Sequence, residues 1–420
     1  MKKNLLLMML PILVVSMFMF SCNKDDDKDD TVTPEGSVVE LSEDSYTEDG
    51  YFDGSLYYRI ISESKKTAAV AKASASAKHV DIPAQIVLKG KKYTVIEIDE
   101  YAFSVGPKDE HGLSTGVVES VQFPNTIRKS SLRAFFGCEK LKKTVAIDLV
   151  SWCKIDFDYS SNPLTYHSAL YLKSGEKVTK LVIPESITTI KPFAFQGAGG
   201  LTEVILHDKV KEVGKDAFSL CKELKSVTFG TGLKTIGEFT FFACSSLGDI
   251  VIPDNVVSIG KDAFSDCSST KSIIMGSGVT KIEERTFFGC RNLKNFSIGK
   301  NVKEIDYEGI RLCDNLESVE LPDRVATLGH GAFTDCFKLK SITLPNSMRY
   351  FGSKVFDGCT SLNVVNSRIK DPSKVSFFET SEKFPHISTI TLNVPIGTKD
   401  AYTGLSPWNS FKIIVEKEGL

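Results

Sequence analysis

The chain has 420 residues, with 51 Lys and Arg against 53 Asp and Glu, so its formal charge is −2 at pH 7. A charge so close to zero provides no basic field and argues against nucleic acid as a partner. The length allows two or three domains or one long repeat array, and the hydrophobic fraction of 42% is that of an ordinary globular protein.

The first residues have the pattern of an export signal. Lys2 and Lys3 precede an almost wholly apolar run at 5–20, which is shorter than the roughly 20 residues that a membrane-spanning helix needs. Ser21 and Cys22 follow at once, and a small residue directly before a cysteine resembles the lipobox of bacterial lipoproteins, in which the cysteine is acylated. We therefore predict a lipoprotein signal peptide at 1–21 and a membrane anchor through lipid on Cys22. The alternative is an ordinary secretory peptide that is cut nearby.

Residues 22–36 are predicted to form an acidic flexible tether. Five Asp and two Lys occupy positions 23–30, and a solvated linker is sufficient to explain such a run. An acidic run beside a lipidated cysteine also resembles signals that send lipoproteins to the outer cell surface in some Gram-negative bacteria. This resemblance implies an outer membrane lipoprotein displayed on the cell surface of a Gram-negative bacterium.

A period of about 23 residues runs through much of the remaining chain, and such a period is typical of repeat architectures. In most units a phenylalanine lies three residues before a cysteine and a leucine lies three residues after it. Two apolar residues that alternate with polar ones then follow, and this alternation predicts a short strand that ends at Pro or Gly. The cysteines of this position are Cys138, Cys221, Cys244, Cys267, Cys290, Cys313, Cys336 and Cys359. One such unit cannot enclose a core, so the pattern predicts a stacked array with protected ends.

Three departures from the pattern weaken single contacts without changing the assignment. Ala198 replaces the cysteine of one unit, Gly309 and Ile310 replace Ala-Phe in another, and Thr270 stands where six of seven aligned units carry leucine. If the Thr270 position is as apolar as its neighbours, Thr270→Leu should stabilise the array.

The period is interrupted between Cys138 and Phe195. We interpret residues at about 142–180 as one lengthened unit, packed on the array, in which Asn162-Pro163 signals a turn. An enzyme site in this stretch is the alternative, and its candidate residues are Trp152, Cys153, Asp156, Asp158 and His167.

The units resemble the BspA-like branch of the leucine-rich repeats, whose pattern is close to AF-x-x-C-x-x-L-x-x-(I/V)-x-(I/L)-P-x-x-V-x-x-I-G. The resemblance implies a leucine-rich-repeat solenoid, with parallel β-strands on one face and turns with short 3-10 or helical segments on the other. It covers an array at 101–367 of about ten to twelve units. The flanks also resemble that family, which implies a strand-rich N-terminal capping region at 37–100 and a C-terminal capping segment at 368–420.

Four roles are open to the repeated cysteines: disulfides, metal binding, nucleophilic chemistry or packing. In-register side chains point the same way, whereas a disulfide needs converging Cβ atoms about 3.8 Å apart. Zinc cysteines usually come as close pairs, and the six histidines share no phase with the repeat. A row of equivalent thiols gives none of them the special setting of a nucleophile. We predict a structural ladder of buried cysteines that binds no metal or cofactor.

Two surfaces are candidates for binding. Residues between the buried strand positions should face outward in rows, which solenoids commonly use for ligands, although a merely solvated sheet explains them too. This candidate binding face consists of Lys225, Ser226, Thr228, Asp249, Lys271, Ser272, Lys294, Asn295, Ser297, Ser318, Glu320, Lys340, Ser341 and Thr343. The second candidate is an apolar patch, for which packing on an adjacent turn is the alternative; its residues are Phe136, Phe242, Phe288 and Phe337.

The sequence contains no P-loop, dinucleotide fingerprint, zinc-protease helix motif or nucleophile elbow, so we predict a protein that is not an enzyme. The family resemblance implies adhesion to an extracellular protein or glycan ligand. A structural or accessory envelope lipoprotein, working with a glycan-uptake system, is the second hypothesis.

Overall fold

The computed structural model describes residues 33–106, 116–378 and 384–420. The predicted signal peptide, Cys22 and most of the predicted tether therefore lie outside the described residues. Residues Pro34–Leu420 form one unit.

The N-terminal segment is a mixed sheet. Its strands are β1 (Val38–Leu41), β2 (Tyr46–Thr47), β3 (Gly50–Phe52), β4 (Leu56–Ser62), β5 (Thr67–Ala73), β6 (His79–Asp81), β7 (Gln85–Leu88) and β8 (Lys91–Ile98), with a 3-10 helix at Glu43–Ser45. All but β6 pair in the order β1-β7-β8-β5-β4-β3-β2. Strand β6 leaves this sheet and becomes the first strand of the solenoid.

The solenoid contains many short strands and little helix. Its further strands are β9 (Ser120–Phe123), β10 (Lys129–Ser130), β11 (Lys143–Ala146), β12 (Asp156–Phe157), β13 (Ala169–Leu172), β14 (Lys180–Val182), β15 (Thr189–Ile190), β16 (Glu203–Ile205), β17 (Glu212–Val213), β18 (Ser226–Thr228), β19 (Thr235–Ile236), β20 (Ile250–Ile252), β21 (Ser258–Ile259), β22 (Ser272–Met275), β23 (Lys281–Ile282), β24 (Asn295–Ser297), β25 (Glu304–Ile305), β26 (Ser318–Glu320), β27 (Thr327–Leu328), β28 (Ser341–Leu344), β29 (Tyr350–Phe351), β30 (Val364–Ser367), β31 (Ser376–Phe377), β32 (Thr391–Pro395) and β33 (Ile413–Lys417). The α-helices are α1 (Leu149–Cys153) and α2 (Lys399–Thr403), and further 3-10 helices lie at Pro163–Tyr166, Pro372–Lys374 and Trp408–Ser410.

One face is built from the longer parallel strands, which we call the long-strand ladder. In the described residues it consists of sheets of four, three, three and five strands, β13-β11-β9-β6, β14-β16-β18, β20-β22-β24 and β26-β28-β30-β32-β33. In the regular turns each strand residue pairs with the equivalent residue of the next unit, as with Val251 and Ile274. Most of these strands lie within the predicted array at 101–367, and β6, β32 and β33 extend the ladder into both predicted caps. The predicted parallel solenoid is confirmed.

The opposite face differs from the expectation of helical segments. Two-residue strands pair there in a second parallel ladder, with the orders β15-β17-β19-β21 and β23-β25-β27-β29-β31. Between residues 180 and 367, all of which the structure describes, every regular element is a strand. In every pair except β31 the first residue is exposed or half-buried and the second is buried, as with Ser258 and Ile259. Two residues suffice for such a bridge, whereas a single turn of 3-10 helix already needs about three.

The turn between the two ladders is ordered by backbone hydrogen bonds from one turn to the next. The amide of Phe218 donates to the carbonyl of Thr240 at 2.9 Å, and Phe241 donates to Ala263 at 2.8 Å. The phenylalanine rings stack along the core, with centroids 5.5 Å apart between Phe218 and Phe241 and 5.3 Å apart between Phe241 and Phe264. The repeat pattern thus specifies an aromatic column from Phe195 to Phe287, which Ile310 interrupts before Phe333 and Phe356 stack again.

The lengthened unit is anchored on the first regular turn. The indole nitrogen of Trp152 donates to the carbonyl of Ala194 at 2.9 Å. The amide nitrogen of Asn162 donates to the carbonyls of Phe193 and Ala194 at 2.7 and 2.9 Å. Both side chains are buried, so this segment is a packed part of the solenoid.

Candidate binding face

The repeated cysteines face the core and link successive turns. In the regular array each thiol lies 3.1–3.5 Å from the backbone carbonyl oxygen to which it donates, and that carbonyl belongs to the residue 26 positions earlier. For Cys138 the acceptor is the carbonyl of Phe103 at 3.3 Å. All of these cysteines are buried free thiols. Burial raises the pKa of the Cys138, Cys221 and Cys290 thiols to about 12. A thiol that stays protonated at neutral pH is a poor nucleophile and metal ligand.

The candidate enzyme residues of the lengthened unit occupy different environments. Trp152 and Cys153 are buried, and burial raises the pKa of the Cys153 thiol to about 12. Asp156 is exposed, with its carboxylate 2.6 Å from the ammonium of Lys191. Asp158 and His167 are also exposed, and His167 closes a 3-10 helix in a left-handed conformation. Trp152 and Cys153 therefore belong to the core, whereas the other three candidates lie at the surface.

The described residues contain no cluster of three or more His, Cys, Asp or Glu that could hold a metal ion. No helix within the described ranges has the length and apolar character needed to cross a bilayer. Cys22, the predicted lipidation site, lies outside those ranges.

The residues of the candidate binding face all lie along the long-strand ladder. Four lysines of this face each directly precede a strand: Lys225, Lys271, Lys294 and Lys340. Apart from Asp249, the remaining residues of the face lie at polar positions within β18, β22, β24, β26 and β28. Asp249 precedes β20 and accepts a hydrogen bond from the Ser272 amide at 3.0 Å. Ser272, Ser341 and Thr343 are half-buried and the others are exposed.

An exposed aliphatic row crosses the same face, and the set of residues predicted from the sequence omits it. Val182, Val251 and Ile274 are 50%, 58% and 49% exposed. Val182 pairs with the half-buried Ile205, which pairs with Thr228, and Val251 pairs with Ile274. We call Val182, Ile205, Val251 and Ile274 the aliphatic stripe. The signal in the sequence is a branched aliphatic residue at the outward strand position at which other units carry Thr228, Ser297 or Thr343.

The four phenylalanines of the second candidate surface do not form one patch. Phe136, Phe242 and Phe288 are half-buried, Phe337 is 42% exposed, and none of the ring contacts among described residues joins two of the four. The guanidinium of Arg285 lies 4.3 Å from the Phe288 ring centroid, and that of Arg133 lies 5.6 Å from the Phe136 ring. Both rings are thus covered by cations within the array, which favours packing over an exposed apolar patch.

The repeat agrees with a known family of sequences. A model of the BspA type leucine rich repeat region matches six copies, at residues 169–294 and 257–382, which together span just over half of the 420-residue chain. This chain belongs to the BspA type leucine rich repeat family. No curated protein matches it.

Several solved structures of repeat proteins are similar to this BspA-type chain. A leucine-rich repeat protein from Bacteroides ovatus is 22% identical, with a TM-score of 0.38, and the match covers 78% of this chain and 99% of that one. A leucine rich cell surface protein from Faecalibacterium prausnitzii is 20% identical, with a TM-score of 0.39 and coverage of 77% and 96%. The pneumococcal vaccine antigen PcpA is 20% identical, with a TM-score of 0.42 and coverage of 87% and 98%.

Proposed function

We propose that this BspA-type protein is a non-catalytic binding protein of the bacterial cell surface, which holds an extracellular protein or glycan ligand on its long-strand ladder. The observation that carries the proposal is the aliphatic stripe within a polar face. Val251 and Ile274 are adjacent in register and about half exposed. Lys225, Asp249 and Lys271 border them on the same ladder.

This arrangement has the composition of a ligand interface. Apolar residues at the centre contribute by leaving water, at about 25 cal/mol for each Å² of apolar surface buried. A polar rim gives specificity and keeps the free protein soluble. Stacked parallel strands repeat these positions about every 4.8 Å, which makes an extended face that suits a long ligand.

The export and anchoring part of the proposal comes from residues 1–30. The apolar run, Cys22 and the acidic segment that follows support a lipid anchor with display on the outer surface of the outer membrane. The test is protease shaving of intact cells, combined with incorporation of labelled fatty acid into the wild-type chain and Cys22→Ala. We expect label only in the wild type and loss of the protein from shaved cells. Protection from protease would favour the accessory envelope lipoprotein instead.

The binding part is tested by a screen of the full chain, purified in detergent, against immobilised matrix proteins, a glycan array and whole cells. The control is a variant in which Val251 of β20, Ile274 of β22 and Asn295 of β24 are changed to Ser or Thr, the residue types that β18 already carries at its outward positions. Binding no stronger than that of the control would contradict the proposal.

A further inference from the structure

A basic recess lies at the N-terminal end of the long-strand ladder. Two adjoining cavities of about 610 and 300 Å³ share His79, Ser120 and Lys143 in their walls, and Lys140 and Lys142 line the larger one. We call these five residues the basic recess.

The strand register brings these side chains together. His79 in β6 pairs with Ser120 in β9, which pairs with Lys143 in β11. Because paired residues of parallel strands project from the same face, the three side chains form one outward row. The imidazole Nδ1 of His79 lies 2.9 Å from the hydroxyl of Ser120. Lys142 directly precedes β11, and Lys140 lies in the turn after Cys138.

The two carboxylates in the cavity walls already have partners. Glu119, in the wall of the larger cavity, lies 3.3 Å from the ammonium of Lys78. Asp81, in the wall of the smaller one, accepts a hydrogen bond from the amide nitrogen of Gln122 at 2.9 Å. Neither carboxylate therefore forms an ion pair with a lysine of the basic recess.

The recess has an excess of positive charge. The ammonium of Lys142 donates to the carbonyl of Glu139, and that of Lys143 lies 5.1 Å from the ring centroid of Tyr171. Among the described residues no carboxylate forms an ion pair with Lys140, Lys142 or Lys143. Three lysines thus share a small area of a chain whose formal charge is −2.

We propose that the basic recess binds an anionic oligosaccharide, with a carboxylate or sulfate group at the lysines. The inference rests on the proposed function, because the recess belongs to the same ligand-binding face. A space of 300–610 Å³ suits a ligand of a few sugar units, whereas a protein partner needs about 800 Å² on each side. Ser120, His79 and Gln122 supply hydrogen-bonding groups for sugar hydroxyls, and Tyr171 provides an aromatic ring beside Lys143.

The test uses the full chain in detergent and measures binding of three probes by calorimetry: tetragalacturonate, a sulfated carrageenan tetrasaccharide and neutral maltotetraose. The two anionic arms distinguish a carboxylate from a sulfate ligand. We expect at least one anionic probe to bind about tenfold or more tightly than the neutral one, and to weaken as ionic strength rises from about 0.05 to about 0.3 M.

Matched double variants locate the site. Lys142→Gln with Lys143→Gln should weaken the anionic probe about tenfold. Lys211→Gln with Lys234→Gln makes the same charge change directly before β17 and β19 of the opposite ladder, outside the candidate binding face, and should change the affinity less than about twofold. All four lysines are exposed, so we expect no change in thermal unfolding. Equal losses in both double variants, or equal binding of maltotetraose, would overturn the proposal.

Two further outcomes separate this inference from the proposed function. If polyglutamate binds as tightly as the anionic tetrasaccharides at the same lysines, the recess is a site for acidic protein segments and the saccharide proposal fails. If the screen of matrix proteins and cells finds a ligand that depends on the aliphatic stripe but no anionic tetrasaccharide binds, only the recess proposal fails.

Discussion

The thiol of Cys267 donates a hydrogen bond to the backbone carbonyl of Phe241, 3.3 Å away in the preceding turn. That carbonyl also accepts from the amide of Cys244 at 3.2 Å. The thiol therefore satisfies the second lone pair of a buried acceptor, and the same link recurs in every regular turn that carries the cysteine. This contact explains why a cysteine returns in each repeat without chemistry of its own.

Replacing this thiol should cost stability but not binding. Cys267→Ala removes the donor and leaves a small cavity, which we expect to lower the free energy of unfolding by about 1–2 kcal/mol. Chemical denaturation measures the loss, and the ligand affinity of the folded variant should equal that of the wild type. Loss of binding by a fully folded variant would contradict a purely structural role.

The buried thiols should be inert in the native protein. All nine described cysteines are buried and so are out of reach of a reagent in solution. At Cys221 and Cys290 burial also raises the pKa of the thiol to about 12, so almost no thiolate is present at these two positions at pH 8. We expect a maleimide reagent, read by intact mass, to leave the nine described cysteines unmodified in native protein and to label all nine in guanidinium. Rapid native labelling would contradict the buried ladder.

The premise that position 270 is as apolar as its neighbours is wrong, and with it the expectation that leucine would improve the position. The buried hydroxyl of Thr270 lies 2.9 Å from the carbonyl of Leu247 and 3.1 Å from that of Gly248. Thr270→Val keeps the shape and removes the donor, so we expect a loss of about 1–2 kcal/mol in the free energy of unfolding. Thr270→Leu also adds volume and should be at least as destabilising. An increase in melting temperature for either variant would mean that the hydroxyl contributes nothing.

Substitutions at the residue before the cysteine should change the free energy of unfolding in opposite directions in different turns. This residue is left-handed in the regular turns, with φ of 54° at Ala243 and 69° at Gly289. Ala243→Gly should therefore raise the free energy of unfolding by about 0.5–1 kcal/mol. Removing a Cβ from a left-handed residue gains roughly 1–2 kcal/mol, and the greater backbone entropy that glycine loses on folding offsets part of this gain. Gly289→Ala should destabilise, because its Cβ would collide with the Asp266 carboxylate.

Ala263→Gly is the control for that pair. Ala263 is buried and lies outside the left-handed region, so glycine there should lower stability by about 1 kcal/mol. Thermal unfolding of the three variants decides the sign, and a loss for Ala243→Gly as large as that of the control would refute the assigned turn geometry.

Stability should depend on pH through Asp216. Burial raises the pKa of this carboxyl above its ordinary value. Between the ordinary and the raised pKa the folded state binds more protons than the unfolded state, so the stability from this group falls as the pH rises through that window and stays lower at neutral pH. Asp216→Asn, which tolerates the left-handed φ of 54°, should raise the melting temperature at pH 7 and leave it nearly unchanged at pH 3. A lower melting temperature at pH 7 would contradict this.

The period and the apolar alternation were enough to predict the solenoid and its long-strand ladder, because each buried position repeats with the same chemistry. They did not predict the second ladder, since two-residue strands are too short to give a pattern. The left-handed position before the cysteine could be predicted where a glycine such as Gly289 occupies it, but not where Leu312 does, because leucine rarely adopts a positive φ. The partners of Thr270 lie in the preceding turn, and only three-dimensional stacking brings its hydroxyl to them. The basic recess depends on the pairing of β6 with β9, two strands whose separation in the chain no periodicity indicates.

The central claim is that the long-strand ladder holds the ligand, and paired variants test it most directly. Val251→Ser with Ile274→Ser changes the aliphatic stripe, and Val257→Ser changes a residue that is 55% exposed and directly precedes β21 of the opposite ladder. For the ligand found in the screen, we expect the stripe variant to weaken binding by about tenfold or more and Val257→Ser to change it by less than about twofold. Unchanged binding by the stripe variant, or an equal loss in both, would contradict the account.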